Sequence, residues 1–327
     1  MKTKIQRKKI LTIGGATEDI SFCVQEGMVV DNREDLLRQK LFAFEHGAKI
    51  PIDKLFFSFG GGAANSAINF AHLGFEVFCM ASIGDDERGK QILRNLRDRK
   101  VRTKLMQISK NKSSAVSFIL IGRDREHVAF VEQGAKNNLN IKEADLRAIS
   151  KFDWIYLSSL SGKWEANLAK IFSQVDKREN LQIAWNPGGV QLRAGIRKLK
   201  KYLTQTSVLL LNRDEALELV VSDPEYKGRG ENFFNNIKNI LGILKKYGPH
   251  IVVITDGAHG AYTYGDYFCH QKANDVKKVI DTTGVGDIFN SSFVAGLEIY
   301  NGDLKKAAEL GAKRAGVLLN KIGAQSW

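Results

Sequence analysis

Val279-Ile280-Asp281-Thr282-Thr283-Gly284-Val285-Gly286-Asp287-Ile288-Phe289 is the stretch from which the rest of the chain can be read. A strand-like apolar start runs into a Gly-X-Gly loop, and an apolar-periodic helix begins directly after it. Glycines there let the backbone turn with its N–H groups on one side, toward the positive end of the following helix, a ready site for phosphate oxygens. Asp287 stands at the helix start, where two readings are open. It is an ordinary N-cap, or it is a base. A carboxylate disfavours simple phosphate binding but suits a hydroxyl attacking a γ-phosphate, which needs donors for the developing charge and an acceptor for its proton.

Outward from this stretch, strand and helix patterns alternate. Apolar runs at 10–13, 77–81, Trp154–Leu157, Gln182–Trp185, 207–211 and Ile251–Thr255 read as buried strands. Helices are expected at 61–73, 86–99, 164–178, 213–221 and 231–247. Strands separated by helices imply parallel crossovers and an α/β, doubly wound sheet. No repeat with a period of roughly 20 to 50 residues is present. Two stretches break the rhythm. Residues 17–58 hold short alternating segments with no room for crossover helices, and residues 113–132 read as a hairpin across Gly122–Glu126. The expected organisation is an α/β body at 1–16, 59–112 and 133–327, with 17–58 and 113–132 as β excursions, either edge strands or a small β lid; a lid would exclude water from reactive phosphoryl chemistry.

The 327 residues are 43% apolar and 26% charged, a globular balance that excludes disordered and collagen-like classes. Cys23, Cys79 and Cys269 are odd in number and far apart, which argues against a disulfide framework and metal knuckles and toward a reducing, cytoplasmic compartment. No apolar run approaches the roughly 18 residues of a membrane span. Forty-nine basic against 36 acidic residues leave +13. Lys2, Lys4, Arg7, Lys8 and Lys9 read as a short solvated leader, and Arg193, Arg197, Lys198, Lys200 and Lys201 as the wet face of an amphipathic helix. No nucleic-acid or membrane partner is expected. There is no GxxxxGK[ST], no GxGxxG after the first strand, no HExxH and no GxSxG.

Asp281–Asp287, DTTGVGD, resembles the carboxy-terminal signature of the PfkB/ribokinase family of carbohydrate and nucleoside kinases, DTxGAGD. Gly60-Gly61-Gly62-Ala63-Ala64-Asn65 resembles its amino-terminal glycine signature, and Gly84-Asp85-Asp86-Glu87-Arg88-Gly89 its GxDxxG segment. Asn212-Arg213-Asp214-Glu215 is similar to its NxxE motif, and Thr255-Asp256-Gly257-Ala258-His259-Gly260 to its T-x-G-x-x-G nucleotide loop. The resemblance implies a ribokinase-like fold and an ATP- and Mg²⁺-dependent phosphotransferase. By it Asp287 is the general base, with an ordinary carboxylate pKa near 4, and the amides of Gly284, Val285 and Gly286 form the anion hole. It implies substrate contacts from Asp19, Gly61, Gly62 and Asn65, and a nucleotide groove from Thr255, Gly257 and Gly260. Asn212 and Glu215 would organise Mg²⁺ through water. Asn186 either touches the phosphates or merely shapes a turn, and a K⁺ site beside Asp281 and Thr283 is a further implication.

Val285 stands where the family has alanine, and the segment 25–56 is long and charged, so ribose itself is not carried over. The expected acceptor is a hydroxyl of a small sugar. The alternative is a nucleoside such as adenosine, guanosine or cytidine, with Phe22, Phe42, Phe44, Phe57 and Phe130 available for a base pocket. A phosphorylated sugar is a third choice, weakly favoured by the positive charge. A noncatalytic, nucleic-acid-binding protein on the same scaffold is the reading from another class. Exposed lid strands imply a homodimer.

Overall fold

The computed structural model of the chain describes residues 8–32, 34, 40–123, 127–175, 180–276 and 279–325. Lys2, Lys4 and Arg7, the hairpin tip at 124–126 and the end of the helix expected to reach 178 lie outside the described residues.

Apolar runs with almost no polar interruption bury both faces of a strand, which suits a parallel sheet covered by helices on either side. The runs at β1 (Lys9–Ile13), β6 (Glu76–Met80), β11 (Trp154–Leu157), β12 (Gln182–Trp185), β13 (Val208–Asn212) and β14 (Ile251–Thr255) form that sheet, all parallel. Two antiparallel strands, β15 (Ala261–Tyr264) and β16 (Phe268–Gln271), extend one edge, giving the order β16-β15-β14-β13-β12-β11-β1-β6. Alternate residues serve opposite faces. Leu11, Ile155, Ile183, Leu209 and Val252 pack with α3 (Glu143–Ile149), α4 (Trp164–Phe172), α6 (Ile196–Leu203), α7 (Arg213–Val221) and α9 (Ile237–Lys246). Ile10, Tyr156, Ala184, Leu210 and Val253 pack with α1 (Gly62–His72), α2 (Glu87–Asp98), α10 (Val285–Ile299) and α11 (Leu304–Leu318). Since the core strands run parallel, their carboxyl ends open on one edge, where crossovers leave a crevice for ligands.

A second, four-stranded sheet has the order β10-β9-β2-β5: β2 (Thr17–Cys23), β5 (Lys54–Gly60), β9 (Val116–Ile121) and β10 (His127–Glu132). β9 and β10 are the expected hairpin, and β9 also lies parallel to β2, joining the two irregular stretches. Short pairs β3 (Met28–Asp31) with β4 (Lys40–Ala43), and β7 (Ser82–Gly84) with β8 (Gln107–Ser109), complete the strands.

Several local expectations are corrected. The apolar start of the signature, Val279–Asp281 in the reading above, is not a strand; Ile280 only donates its amide to Leu319 at 2.7 Å. The basic amphipathic helix is two helices, α5 (Gly189–Ala194) and α6, because Gly195 takes φ 77°, a left-handed value that ends one helix and starts the next. The helix expected at 231–247 likewise breaks at Asn236 into α8 (Glu231–Asn235) and α9, where the Asn236 side chain caps α9 by accepting from the Lys238 amide.

Candidate active site

The glycine loop ends at Gly284, which caps α10 in the left-handed conformation at φ 73° and has no side chain to offer its amides. Asp287 therefore lies in the first turn of α10, and its reading as the N-cap is excluded. Its carboxylate instead accepts from Asn65 Nδ2 at 2.8 Å, across from α1. Burial holds the half-buried Asp287 above the usual carboxylate range; the Asn65 hydrogen bond opposes this and the Asp19 charge adds to it. The expectation of an ordinary pKa is thereby corrected: the cause is desolvation in the crevice. Of the three amides expected to form the anion hole, that of Val285 donates to Thr282 O at 3.3 Å, while the space beside Gly286 is open.

Asn65 is itself held. Its Oδ1 accepts from Gln325 Nε2 at 2.8 Å, and Gln325 Oε1 accepts from Asn95 Nδ2 of α2 at 2.6 Å. The same segment, past the end of α11, supports the signature twice more. The Gly323 amide donates to Asp281 Oδ2 at 2.8 Å, and Ala324 packs so closely on Gly284 that any side chain there would collide with it. Asp281 Oδ1 accepts from the Thr283 amide, also at 2.8 Å.

Asp19 comes from β2, whose alternation turns it inward with Thr17 and Ser21. It is 4% exposed and accepts from Thr17 Oγ1 at 2.9 Å. Burial raises its pKa against bonds from Thr17 and Ser117; the Asp281 charge raises it further and Lys136 lowers it. A side chain at Gly60 would overlap this carboxylate. Gly61, at φ 90°, lies against the backbone of Gly15 and Ala16, and a Cβ on Gly62 would stand 3.3 Å from Asp287 Oδ1. Glycine at 62 thus keeps open the space in front of the Asp287 carboxylate.

Asn212 and Glu215 form a reciprocal capping box at the start of α7: Asn212 Oδ1 accepts from the Glu215 amide at 2.8 Å, and Glu215 Oε2 from the Asn212 amide at 2.9 Å. Capping does not exhaust the pair. Burial pushes Glu215 up to about 7, against the Asn212 amide bond and with the Asp287 charge adding to it. Thr255 is the register partner of Asn212 on the neighbouring strand. Gly257 follows it in a 3₁₀ turn with open space beside it. Gly260, at φ 92°, is pressed against the backbone of Gln271, Lys272 and Ala273 and serves the β14–β15 turn. The main-chain amide of Asn186 donates to Leu157 O and its side-chain Nδ2 to Leu210 O, both at 2.8 Å, tying the end of β12 to its two neighbouring strands.

Asp287, Asn65, Gly62 and Asp19 are therefore brought to one crevice, with Glu215 and Asn212 on its wall. Lys136 and Gln325 were missed. Neither sits in a motif, and only the fold carries the segment 323–325 back to α1. Among the described residues no group of three or more His, Cys, Asp or Glu side chains is arranged as a metal cage, and no helix is long and apolar enough to cross a membrane.

The family model for pfkB family carbohydrate kinases matches residues 37–327. A ribokinase of Dictyostelium discoideum is 25% identical over 82% of this chain and 86% of its own length. An ATP-dependent ribose-1-phosphate kinase of Halopiger xanaduensis is 25% identical over 82% of each. Among solved structures, Arabidopsis thaliana ribokinase complexed with ribose and ATP superposes with a TM-score of 0.77 at 18% identity, covering 98% of this chain and 95% of that one. A Burkholderia thailandensis nucleoside kinase in complex with inosine superposes with a TM-score of 0.75 at 17% identity, covering 97% and 93%. At such identities the structural likenesses establish the fold, which is ribokinase-like.

Proposed function

Because the chain belongs to the pfkB family of carbohydrate kinases, we propose that it transfers the γ-phosphoryl group of ATP to a hydroxyl of a small sugar, with Asp287 as general base. The observation that carries this reading is the placement of Asp287. It stands in the first turn of a helix opened by a glycine loop, it caps nothing, and its carboxylate faces the crevice beside Asp19.

In this reading Asp19 and Asn65 hold the acceptor. Asp287 takes the proton as the acceptor oxygen bonds to the γ-phosphorus, the bridging β–γ bond breaks and ADP leaves. The open amide side of the loop at Gly284 and Gly286 receives the developing charge. Asn212 and Glu215 suit Mg²⁺, which keeps much of its water and needs few protein carboxylates; when bound it would neutralise the phosphate charge. The K⁺ site implied beside Asp281 and Thr283 is not part of this proposal; the Asp281 oxygens each accept one backbone amide, from Thr283 and from Gly323. Thr255 and Gly257 border the nucleotide, whereas Asn186 and Gly260 are read as structural.

The second sheet is proposed as the lid. His127 Nδ1 lies 3.1 Å from Thr282 Oγ1, a contact between β10 and the signature loop. Its alternation also weighs against a nucleoside. Ile20 and Phe22 point away from Asp19, and Phe57, Phe118 and Phe130 are in register with Ile20 or with one another on that outer face. Of the five aromatic residues available for a base pocket, Phe42 and Phe44 pack edge-to-face on one another at 4.9 Å beside β3 and β4, while those at 22, 57 and 130 thus turn outward. The same face, with Phe57 67% and Phe130 58% exposed, is the surface through which we propose that two copies pair.

The test is ADP release from Mg-ATP across pentoses, hexoses, their phosphates and nucleosides, with Asp287→Ala as control. An acceptor should stimulate the wild-type protein, and turnover should fall by about 10²- to 10⁴-fold in the variant while nucleotide binding persists. Equal turnover by both proteins sinks the assignment of the base.

A further inference from the structure

Lys136 stands in the 3₁₀ turn Gly134–Asn138 that follows β10. Its side chain runs across Gly15: a Cβ added there would come within 2.9 Å of Lys136 Cε and 3.4 Å of Nζ. Gly15 lies in the β1–β2 connection that leads to Asp19. Its carbonyl accepts from the Ala64 amide at 3.3 Å and sits beneath Gly61, the N-cap of α1, which has no side-chain cap. The lysine stem and its ammonium therefore lie against the connection that leads to Asp19.

Lys136 is not used up by the protein. Its charge acts on Asp19, yet among the described residues no carboxylate comes within ion-pair distance of it and no group accepts its hydrogen bonds. Asp19 satisfies itself through Thr17 and Ser117. A cation drawn out of water without a close partner is costly, and a bound oxyanion offsets that cost. Asp19 in turn acts on Asp287, so that Lys136 and Asp287 both feel the Asp19 carboxylate. An oxyanion on the acceptor that lay toward Asp287 would crowd the place where the transferred phosphoryl group must enter. Beside Lys136 it would be held by a charge-assisted hydrogen bond.

Resting on the kinase reading above, we propose that Lys136 sets acceptor specificity, and that the acceptor carries an oxyanion, a phosphate ester or a carboxylate, at the end opposite the hydroxyl that is phosphorylated. The Gly at 15 belongs to the same device, since any side chain there displaces the lysine stem.

The experiment compares kcat/KM for ribose, ribose 1-phosphate, ribose 5-phosphate, fructose 6-phosphate, gluconate and adenosine in wild type, Lys136→Met and Lys136→Arg. Thermal melting checks that the variants fold, and calorimetry measures binding of each acceptor without nucleotide. Wild type should prefer an oxyanionic acceptor, with the sugar phosphates against gluconate deciding phosphate or carboxylate. Lys136→Met should lower kcat/KM for that acceptor on the order of 10²-fold, mainly through KM. It should collapse selectivity over the neutral sugar and leave KM for ATP in place, while Lys136→Arg recovers part of the loss. If wild type phosphorylates neutral sugars or adenosine in preference, the kinase stands and this inference falls. If nothing is phosphorylated, the kinase reading fails, and calorimetry still decides. Oxyanion binding lost in Lys136→Met upholds the subsite, and no such binding in wild type overturns it.

Discussion

At the residue scale the chemistry turns on how Asp287 is kept. A half-buried carboxylate with one strong donor, Asn65, and the like charge of Asp19 nearby resists ionisation. A base must be ionised to accept a proton, and its pKa is raised, so activity should be full at high pH and lost as pH falls through that raised value. The acid limb of kcat/KM should therefore lie above the ordinary aspartate value of about 3.9. A rate profile over pH checks this, and a limb at or below that value would contradict the desolvated site. The identity of Asp287 was legible in DTTGVGD. Its pKa was not, because desolvation depends on which elements close around the side chain.

Among the elements, the segment past α11 does work that no motif announces. Gly323, Ala324 and Gln325 brace Asp281, Gly284 and Asn65 in turn. Gln325 touches neither acceptor nor nucleotide in the proposed reading; it is a positioning residue that keeps Asn65 Nδ2 directed at Asp287. Gln325→Leu should lower kcat by about 10- to 10²-fold through misplacement of the pair, with KM for ATP little changed. It should also move the acid limb upward, because the Asn65 bond is what opposes the raised pKa of Asp287. Kinetics against pH would show both, and a loss of thermal stability with an unmoved limb would reduce Gln325 to a packing role. The helices at 61–73, 86–99 and 213–221 were readable from periodicity. The breaks at Gly195 and Asn236 were not, since a glycine or asparagine inside an amphipathic pattern is tolerated often enough to hide a boundary.

For the whole molecule, the second sheet has two faces with different fates. Asp19 and Ser117 turn to the crevice, while Phe57, Phe118 and Phe130 form a cross-strand row left in solvent. An apolar row of this kind on one sheet is self-complementary about a two-fold axis. Light scattering should give twice the chain mass for wild type and a single chain for Phe57→Asp combined with Phe130→Asp. A monomeric wild type would dismiss the pairing.

The sequence by itself determined the parallel sheet, its flanking helices and the family, because strand burial and glycine-rich turns are local demands that particular residues must meet where they stand. It also identified Asp287, Asp19, Asn65 and Glu215 as candidates. Tertiary structure alone decided that Asp287 faces the crevice rather than capping its helix, that Asn212 and Glu215 are both a capping box and a shared wall with Asp287, and that the aromatic residues at 22, 57 and 130 look outward. It alone brought Lys136 to Asp19 and Gln325 to Asn65. Those relations join residues more than a hundred positions apart, and only the packed fold sets their distances, their burial and the charges they feel.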